Sequence, residues 1–305
     1  MKTLSEQFAS HMRRFFELWS RVLPMPGFLI SACMFVAAGS GILLAFAYDI
    51  NRPFDSLQVL ILSNPAGTFL RGIHYWSAQF FFVLVVIHLI DQLSKDGERE
   101  LSAGQWARLS TMVPVTLFLM ISGYLLKGDR SAILARQVIE GLLGTLPMGD
   151  TFRFLVLGSG EGLQFVYSHH ISTATLIVFM LILEHSRGRW PEWLSFIWIL
   201  GISMLISALK MPGLSHEGAG TLIKGPWFFL GLQQLLHWIS EPLWLVVGGA
   251  ICFGMLCSIP LIPAPSPKYV KVALAVCLVL YMGLCLTTYA FRGPDWEWAL
   301  PWKSR

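Results

Sequence analysis

The stretch RGIHYWSAQFFFVLVVIHL, residues 71–89, is an apolar run that carries two histidines, His74 and His88. At about 1.5 Å of rise per residue, such a run crosses most of a hydrocarbon core about 30 Å thick. The histidines are 14 residues apart. At about 100° per residue this spacing returns nearly to the same helix face, about 21 Å further along the axis. The stretch therefore predicts a membrane helix with one imidazole near each membrane surface.

The rest of the chain also has the composition of a membrane protein. Of its 305 residues, 55% are hydrophobic and 13% are charged, and the mean hydropathy is +0.61, whereas soluble domains carry about 25% charged residues. We therefore expect a membrane environment and no nucleic-acid partner. The apolar runs predict an all-α transmembrane protein with seven spans, near residues 27–48, 70–92, 109–126, 166–186, 193–209, 242–262 and 269–290.

Three further segments have helical patterns outside these spans. Residues 4–22 place apolar side chains on one helix face, so we assign 1–26 as an interfacial amphipathic helix. Residues 226–238 are apolar but too short to cross, which predicts a re-entrant or interfacial segment. The long connection 127–165 contains a helical stretch at 131–146, and a structured connection of this length often belongs to a binding site.

The span near 166–186 carries a second set of histidines. His170 and His185 are 15 residues apart, about 60° from a common helix face, whereas His169 and His185 differ by about 160°. Helical phase therefore favours His170, with His169 as its competitor. If the two helices pack together, His74 meets His170 and His88 meets His185. Each pair then offers two axial imidazoles to an iron, which predicts two non-covalent b haems.

Other interpretations of intramembrane histidines were weighed against this one. A single histidine in a membrane helix is more often a hydrogen-bonding residue, and a transporter uses histidines as a proton relay. Two matched pairs separated by most of the bilayer favour metal ligation. The five cysteines show no CxxC or CxxCH spacing, so a covalent c-type haem or a cysteine-bound iron–sulfur cluster is not expected in this chain.

The sequence resembles the cytochrome b subunit of the Rieske/cytochrome b complexes along most of its length. Residues 71–89 resemble the second helix of that family, and CMFVAAGSGILLAFAY (33–48) resembles the first. SGYLLKGDRSAILARQVIEGLLGTLPMG (122–149) is similar to the end of the third helix and the short helices beside the outer quinol site. KGPWFFLGLQQLL (224–236) is similar to the start of the second half. The resemblance implies a four-helix dihaem bundle over 27–190 and a three-helix domain over 191–305.

The resemblance also implies roles for individual residues. Gly27, Gly41 and Gly123 are similar to the glycines that pack against the haem faces, where only a missing Cβ allows close approach. Arg71 resembles the arginine that pairs with a propionate of the outer haem. An alignment of QFVYSH (164–169) on the family pattern favours His169, in conflict with helical phase, and we retain His170.

The chain departs from the family pattern at several positions. Asp91 stands where a second propionate-binding arginine is usual, which leaves Lys95 or Arg189 as substitutes, and Lys127-Gly128 replaces a Pro-Trp pair. Met25 falls where some relatives anchor an extra haem through cysteine, so no covalent third haem is expected. The second-half signature is Gly225-Pro226-Trp227-Phe228, which lacks the glutamate that accepts a quinol proton.

These features predict the dihaem cytochrome b subunit of a membrane quinol oxidoreductase, with quinone as substrate and a homodimer within a larger complex. Its expected redox partners are a Rieske-type iron–sulfur protein or a multihaem c-type cytochrome. The outer quinone pocket is expected at 129–147 and 225–237, and the inner pocket near Arg187 and the start of the first span. The predicted location is a bacterial inner membrane with the N-terminus inside, because the inner segments are shorter and denser in positive charge.

Two alternatives remain open from the sequence. The missing glutamate favours a haem-b conduit without electron bifurcation, which links quinone to a multihaem cytochrome, a hydrogenase or another oxidoreductase. A haem-free proton-coupled transporter is the alternative from a different functional class.

Overall fold

The computed structural model describes residues 25–160, 162–215, 223–263, 266–293 and 296–299. The interfacial helix predicted for 1–26 lies outside these ranges apart from its last two residues. Within the described residues the only β pairing is a single bridge between Arg292 and Trp298.

The described chain is helical, which confirms the predicted all-α transmembrane class. Six helices are long and apolar enough to cross a membrane, and Trp193–Leu209 is a shorter apolar helix of 17 residues. The helices are α1 (Pro26–Ala45), α2 (Pro53–Ser63), α3 (Pro65–Ser94), α4 (Ala103–Ser110), α5 (Met112–Leu125), α6 (Arg130–Gly144), α7 (Gly149–Leu157), α8 (Gln164–Ser168), α9 (Ala174–Ser186), α10 (Trp193–Leu209), α11 (Leu230–Trp238), α12 (Leu243–Ser258) and α13 (Pro267–Phe291).

Local sequence explains where the histidine-bearing helices begin and bend. Pro65 opens α3, and the Asn64 side chain accepts a hydrogen bond from the Gly67 amide, so the helix starts before the predicted span. The helix Gln164–Ser186 contains one π-turn, His169–Thr173, between α8 and α9. Such single π-turns occur mostly inside α-helices and frequently at functional sites.

One structural unit comprises the described residues up to Gly123 and from Tyr167 to Gly213. Its core lies where α1, α3, α9 and α10 pack, with Cys33, Phe81, Val178 and Ile199 among the buried side chains. Helix α10 approaches α3 closely, because a Cβ added at Gly72 would lie 2.7 Å from Ser207 Oγ. Small residues at such contacts allow membrane helices to pack by van der Waals contact. The division at residue 190 stays a prediction.

A second unit comprises Tyr124–Val166 and the described residues from Leu214 onward. In it α6 packs against α7, and α11 packs against α13. The Tyr281 hydroxyl donates to the Phe228 carbonyl at 2.6 Å, and Gly231 lies against the Tyr281 ring. Helix α11 has only nine residues, which is too short to cross a bilayer, as the sequence predicted for 226–238.

Candidate haem site

The structure brings four of the predicted histidines together as two pairs. The rings of His74 on α3 and His170 in the π-turn have centroids 6.2 Å apart and planes inclined by 73°. The rings of His88 and His185, on α3 and α9, have centroids 5.8 Å apart and planes inclined by 66°. One helix pair therefore presents two facing imidazole pairs at two depths.

The π-turn explains how unequal spacings give matched pairs. A π-turn closes from residue i to i+5, so it absorbs one residue more than an α-turn. The 15 residues from His170 to His185 then act as about 14 in angular terms, about 40° short of four full turns, as for His74 and His88. The two ligand-bearing faces consequently have the same phase.

His169 has different surroundings from His170. Its ring lies edge-on to Phe118 of α5, with centroids 6.0 Å apart, and no printed ring contact places it against His74. The structure therefore brings His170, rather than His169, into a pair with His74.

The outer pair, His74 and His170, is oriented by hydrogen bonds through Nδ1. His74 Nδ1 lies 2.9 Å from the Ala37 carbonyl oxygen and 3.4 Å from Ser40 Oγ. Because a carbonyl only accepts, His74 Nδ1 carries the hydrogen and its Nε2 lone pair is available to a metal. His170 Nδ1 lies 2.9 Å from Ser122 Oγ.

The inner pair, His88 and His185, has a different environment. Both ring nitrogens of His88 are buried and have no hydrogen-bond partner among the described residues. A buried polar nitrogen without a partner is costly, which indicates that another group satisfies it. One residue before His185, Glu184 accepts a bidentate interaction from Arg108, with Arg108 Nη2 2.6 Å from Oε1. This contact ties α4 to the end of α9.

The pairs fit a metal that takes only two ligands from the protein. In the described part of the chain, no group of three or more His, Cys, Asp and Glu side chains could hold a metal ion. With a metal–nitrogen bond of about 2 Å on each side, two axial imidazole rings have centres about 6 Å apart. Both measured separations are close to this value. The residues present therefore fit haem iron, whose remaining ligands belong to the macrocycle.

The three predicted glycines differ in what surrounds them. A Cβ at Gly41 would lie 3.0 Å from His74 Cε1, and one at Gly123 would lie 2.9 Å from His170 Cε1. Both glycines therefore leave room for a ligand ring. At Gly27 an added Cβ would meet no described atom within 4 Å, so space next to that backbone is open.

Charged residues lie at both ends of the α3 histidine face. Arg71 is 8% exposed, three residues before His74, and its Nη1 donates to the Pro212 carbonyl at 2.5 Å. At the other end the buried Asp91 forms an ion pair with Lys95 at 2.7 Å. Lys95, which the sequence offered as a substitute propionate partner, thus has a carboxylate neighbour on its own helix.

The segment 225–237 lies in the second unit and contains polar groups. The Gly225 amide donates to Gln233 Oε1 at 2.9 Å, so Gln233 fixes the chain just before Pro226. Gln234 is fully buried and accepts from Arg292 Nε at 2.8 Å. His237 stacks on Trp296 with centroids 4.5 Å apart. Burial and nearby Arg292 lower the pKa of His237 from its ordinary value.

Sequence reasoning did not find the residues that orient the ligands. Ala37, Ser40 and Ser122 are distant in sequence from the histidines they contact. The only sequence signal was that Ser40 and Ser122 each directly precede a predicted haem-packing glycine, Gly41 and Gly123.

A helical bundle of membrane-spanning length with two facing histidine pairs defines an integral membrane protein of the haem-ligating type. The profile of the cytochrome b/b6/petB family matches residues 11–186. The chain belongs to this family, which binds haem b.

Curated relatives and a solved structure agree with this assignment. Cytochrome b6 of Synechococcus sp. (strain WH7803) and cytochrome b6 of Prochlorococcus marinus (strain MIT 9211) are each 24% identical over 165 residues, covering 51% of this chain and 76% of the relative. A chain of a hyperthermophilic respiratory Complex III superposes with a TM-score of 0.65 and 18% identity, over 93% of this chain and 87% of that chain. This likeness shows the fold.

Proposed function

We propose that the chain holds two b haems, one between His74 and His170 and one between His88 and His185, and transfers electrons across the membrane as the cytochrome b subunit of a quinol oxidoreductase. The observation that carries the proposal is the pair of facing imidazole pairs, with centroids 6.2 and 5.8 Å apart, on two helices of one unit. Two electron sites about 21 Å apart along α3 span most of a hydrocarbon core of about 30 Å.

Bound haem b supplies reversible one-electron chemistry, and the protein provides ligation, orientation and a dry environment. The imidazole Nε2 atoms of the outer pair point their lone pairs at the iron, because Nδ1 of His74 donates to Ala37. Gly41 and Gly123 make room for the ligand rings, and Gly27 leaves an open backbone for a flat ligand. Arg71 provides a guanidinium for a propionate at the outer end.

Haem quantification of the purified chain tests this proposal. We expect two b haems per chain, and one haem in each of the variants His74→Ala, His88→Ala, His170→Ala and His185→Ala. His169→Ala is the matched control, because His169 packs on Phe118, and this variant should keep both haems. Two haems in His170→Ala together with one in His169→Ala would reassign the fourth ligand. A reduced spectrum without a b-type α-band would instead favour the haem-free transporter.

The relatives named cytochrome b6 and the chain of a respiratory Complex III support a quinone substrate and partner redox subunits. We propose an outer quinone pocket formed by 129–147 and 225–237, and an inner one near Arg187 and the start of α1. The proposed assembly is a homodimer with a Rieske-type iron–sulfur protein, in a bacterial inner membrane with the N-terminus inside.

A second candidate, a haem-b conduit without electron bifurcation, is favoured by the residues at 225–228. Pro226 replaces the glutamate and offers no proton acceptor, and Gly225 is bonded to Gln233. Purification of the native complex separates the candidates. A Rieske-type protein in the complex supports the first, whereas a multihaem c-type cytochrome or a hydrogenase subunit supports the second.

A further inference from the structure

His170 takes part in a hydrogen-bond relay that begins on its ring and ends on a backbone carbonyl of α5. His170 Nδ1 lies 2.9 Å from Ser122 Oγ, and Ser122 Oγ lies 3.1 Å from the Leu119 carbonyl oxygen. The carbonyl can only accept, so the single hydrogen of the Ser122 hydroxyl is directed to it. Ser122 Oγ then accepts from His170 Nδ1. The Leu119 carbonyl also interacts with the His170 ring, which again requires a hydrogen on Nδ1.

We propose that Ser122 is a positioning residue that fixes the tautomer and ring orientation of His170 and lowers the reduction potential of the outer haem. The inference rests on the proposed function, because it requires His170 to be an iron ligand. With the hydrogen on Nδ1, the Nε2 lone pair is directed to the metal. A hydrogen bond donated by the remote N–H makes an imidazole a stronger electron donor, which stabilises the oxidised iron.

The surroundings of Ser122 make this contact specific rather than incidental. Ser122 is 1% exposed, and it precedes Gly123, whose missing Cβ leaves 2.9 Å to His170 Cε1. The ring is therefore held against two adjacent residues of α5, by contact at Gly123 and by hydrogen bonding at Ser122. A serine that bonds only to the carbonyl three residues earlier is common in membrane helices, but it would not also meet a ligand nitrogen.

The two sites differ in this respect. Both outer histidines have an Nδ1 partner, whereas the nitrogens of the inner His88 have none among the described residues. At His74 the partner is the Ala37 carbonyl, which a side-chain substitution does not remove. Ser40 Oγ is a longer, 3.4 Å neighbour of His74 Nδ1 and bonds to the Val36 carbonyl at 2.6 Å. Ser40 is therefore the matched control for Ser122.

Redox titration of the α-band in the purified holoprotein tests the proposal. We expect Ser122→Ala to keep two haems per chain and to raise the potential of one haem while the other stays unchanged. Ser40→Ala should leave both potentials unchanged, and Ser122→Thr, which restores a hydroxyl, should return the shifted potential toward the original. The electron paramagnetic resonance signal of the shifted haem should also change, because its ligand ring is free to turn.

The outcomes distinguish this inference from the proposed function. Unchanged potentials in Ser122→Ala, with one haem lost in His170→Ala, would overturn the role of Ser122 alone. Two haems retained in His170→Ala would overturn the ligand assignment itself. If Ser122→Ala does not assemble, Ser122→Cys has nearly the same volume and a weaker acceptor, and an unchanged potential in that variant would overturn the inference.

Discussion

Each proposed ligand depends on neighbouring residues that leave space for it, and Gly123 is the clearest case. An added Cβ there would lie 2.9 Å from His170 Cε1, closer than packed atoms tolerate. Forcing extra volume into a packed site costs about 1–3 kcal/mol. We therefore expect Gly123→Ala to weaken binding of the outer haem, measured as haem per chain after purification and as the temperature at which the α-band is lost.

Two other glycines separate the possible causes of such an effect. At Gly27 and Gly201 an added Cβ meets no described atom within 4 Å. We expect Gly201→Ala to leave haem content unchanged. If Gly27 faces a haem, Gly27→Ala should lower haem content although it disturbs no protein contact. Full haem content in Gly27→Ala would remove Gly27 from the set of haem-packing residues.

Asp129 makes the stability of α6 depend on pH. Burial alone would raise the pKa of its carboxyl, but Lys127 at 3.0 Å and hydrogen bonds from Ser215, Ser131 and Ala132 outweigh burial and hold the pKa below its usual 3.8. A lowered folded-state pKa means that the carboxylate stabilises the fold above the unfolded value, and that this contribution is lost as the pH falls through the folded value.

The matched variant for this residue is Asp129→Asn, which keeps an N-cap acceptor for Ala132 but removes the charge. We expect thermal unfolding in detergent to show wild-type stability falling below about pH 4 more steeply than that of the variant. Between pH 5 and 8 the variant should be less stable by a nearly constant amount. Parallel pH curves for the two proteins throughout would contradict the role of the Asp129 charge.

At the level of elements, apolar periodicity predicted the long helices but not the irregular ones. The span at 70–92 is α3, Pro65–Ser94, with an extension that Asn64 and Pro65 encode locally. Helices α2 and α7 were not predicted, because their residues do not form an apolar run of membrane length. The π-turn was also missed, since no residue type marks it, and helical phase was therefore calculated for a straight helix.

The π-turn predicts opposite results for deletions in the two ligand helices. Removal of Ile171, an exposed residue of the π-turn, would leave 14 residues between His170 and His185, which a regular α-helix accommodates at the same phase. Removal of Val83 from the regular α3 would turn His88 by about 100° relative to His74. We expect about two haems per chain after deletion of Ile171 and about one after deletion of Val83. Loss of a haem only in the first deletion would contradict this account of the π-turn.

The contact between α3 and α10 depends on small residues. Gly72 faces Ser207 so closely that any side chain must displace α10. We expect Gly72→Val to lower the free energy of unfolding in detergent by about 1–3 kcal/mol. Gly201→Val, on α10 with no described neighbour at its Cβ, is the control and should change stability little. Equal stability of the two variants would show that this helix contact is not close-packed in the membrane.

At the scale of the whole molecule, the candidate site was more predictable than the contacts that support it. His74, His88, His170 and His185 could be selected from spacing, because the period of an α-helix converts sequence distance into direction and depth. Ala37 and Ser122 could not be selected, because they lie 37 and 48 residues from the nitrogens that they contact. Those contacts depend on how separate helices pack, which periodicity within one helix does not specify.

The depth of the two pairs leads to a prediction about membrane voltage. An electron that moves between sites about 21 Å apart crosses about 0.7 of a core about 30 Å thick. A full crossing is worth about 2.3 kcal/mol per 100 mV, so this step is worth about 1.6 kcal/mol, or about a fifteenfold change in equilibrium. In sealed vesicles held at fixed redox poise, a 100 mV diffusion potential should redistribute electrons between the two α-band components by about this factor. His185→Ala, with one remaining site, is the control and should show no redistribution. A distribution in the wild type that does not respond to voltage would place both sites at the same depth and contradict the paired arrangement across the bilayer.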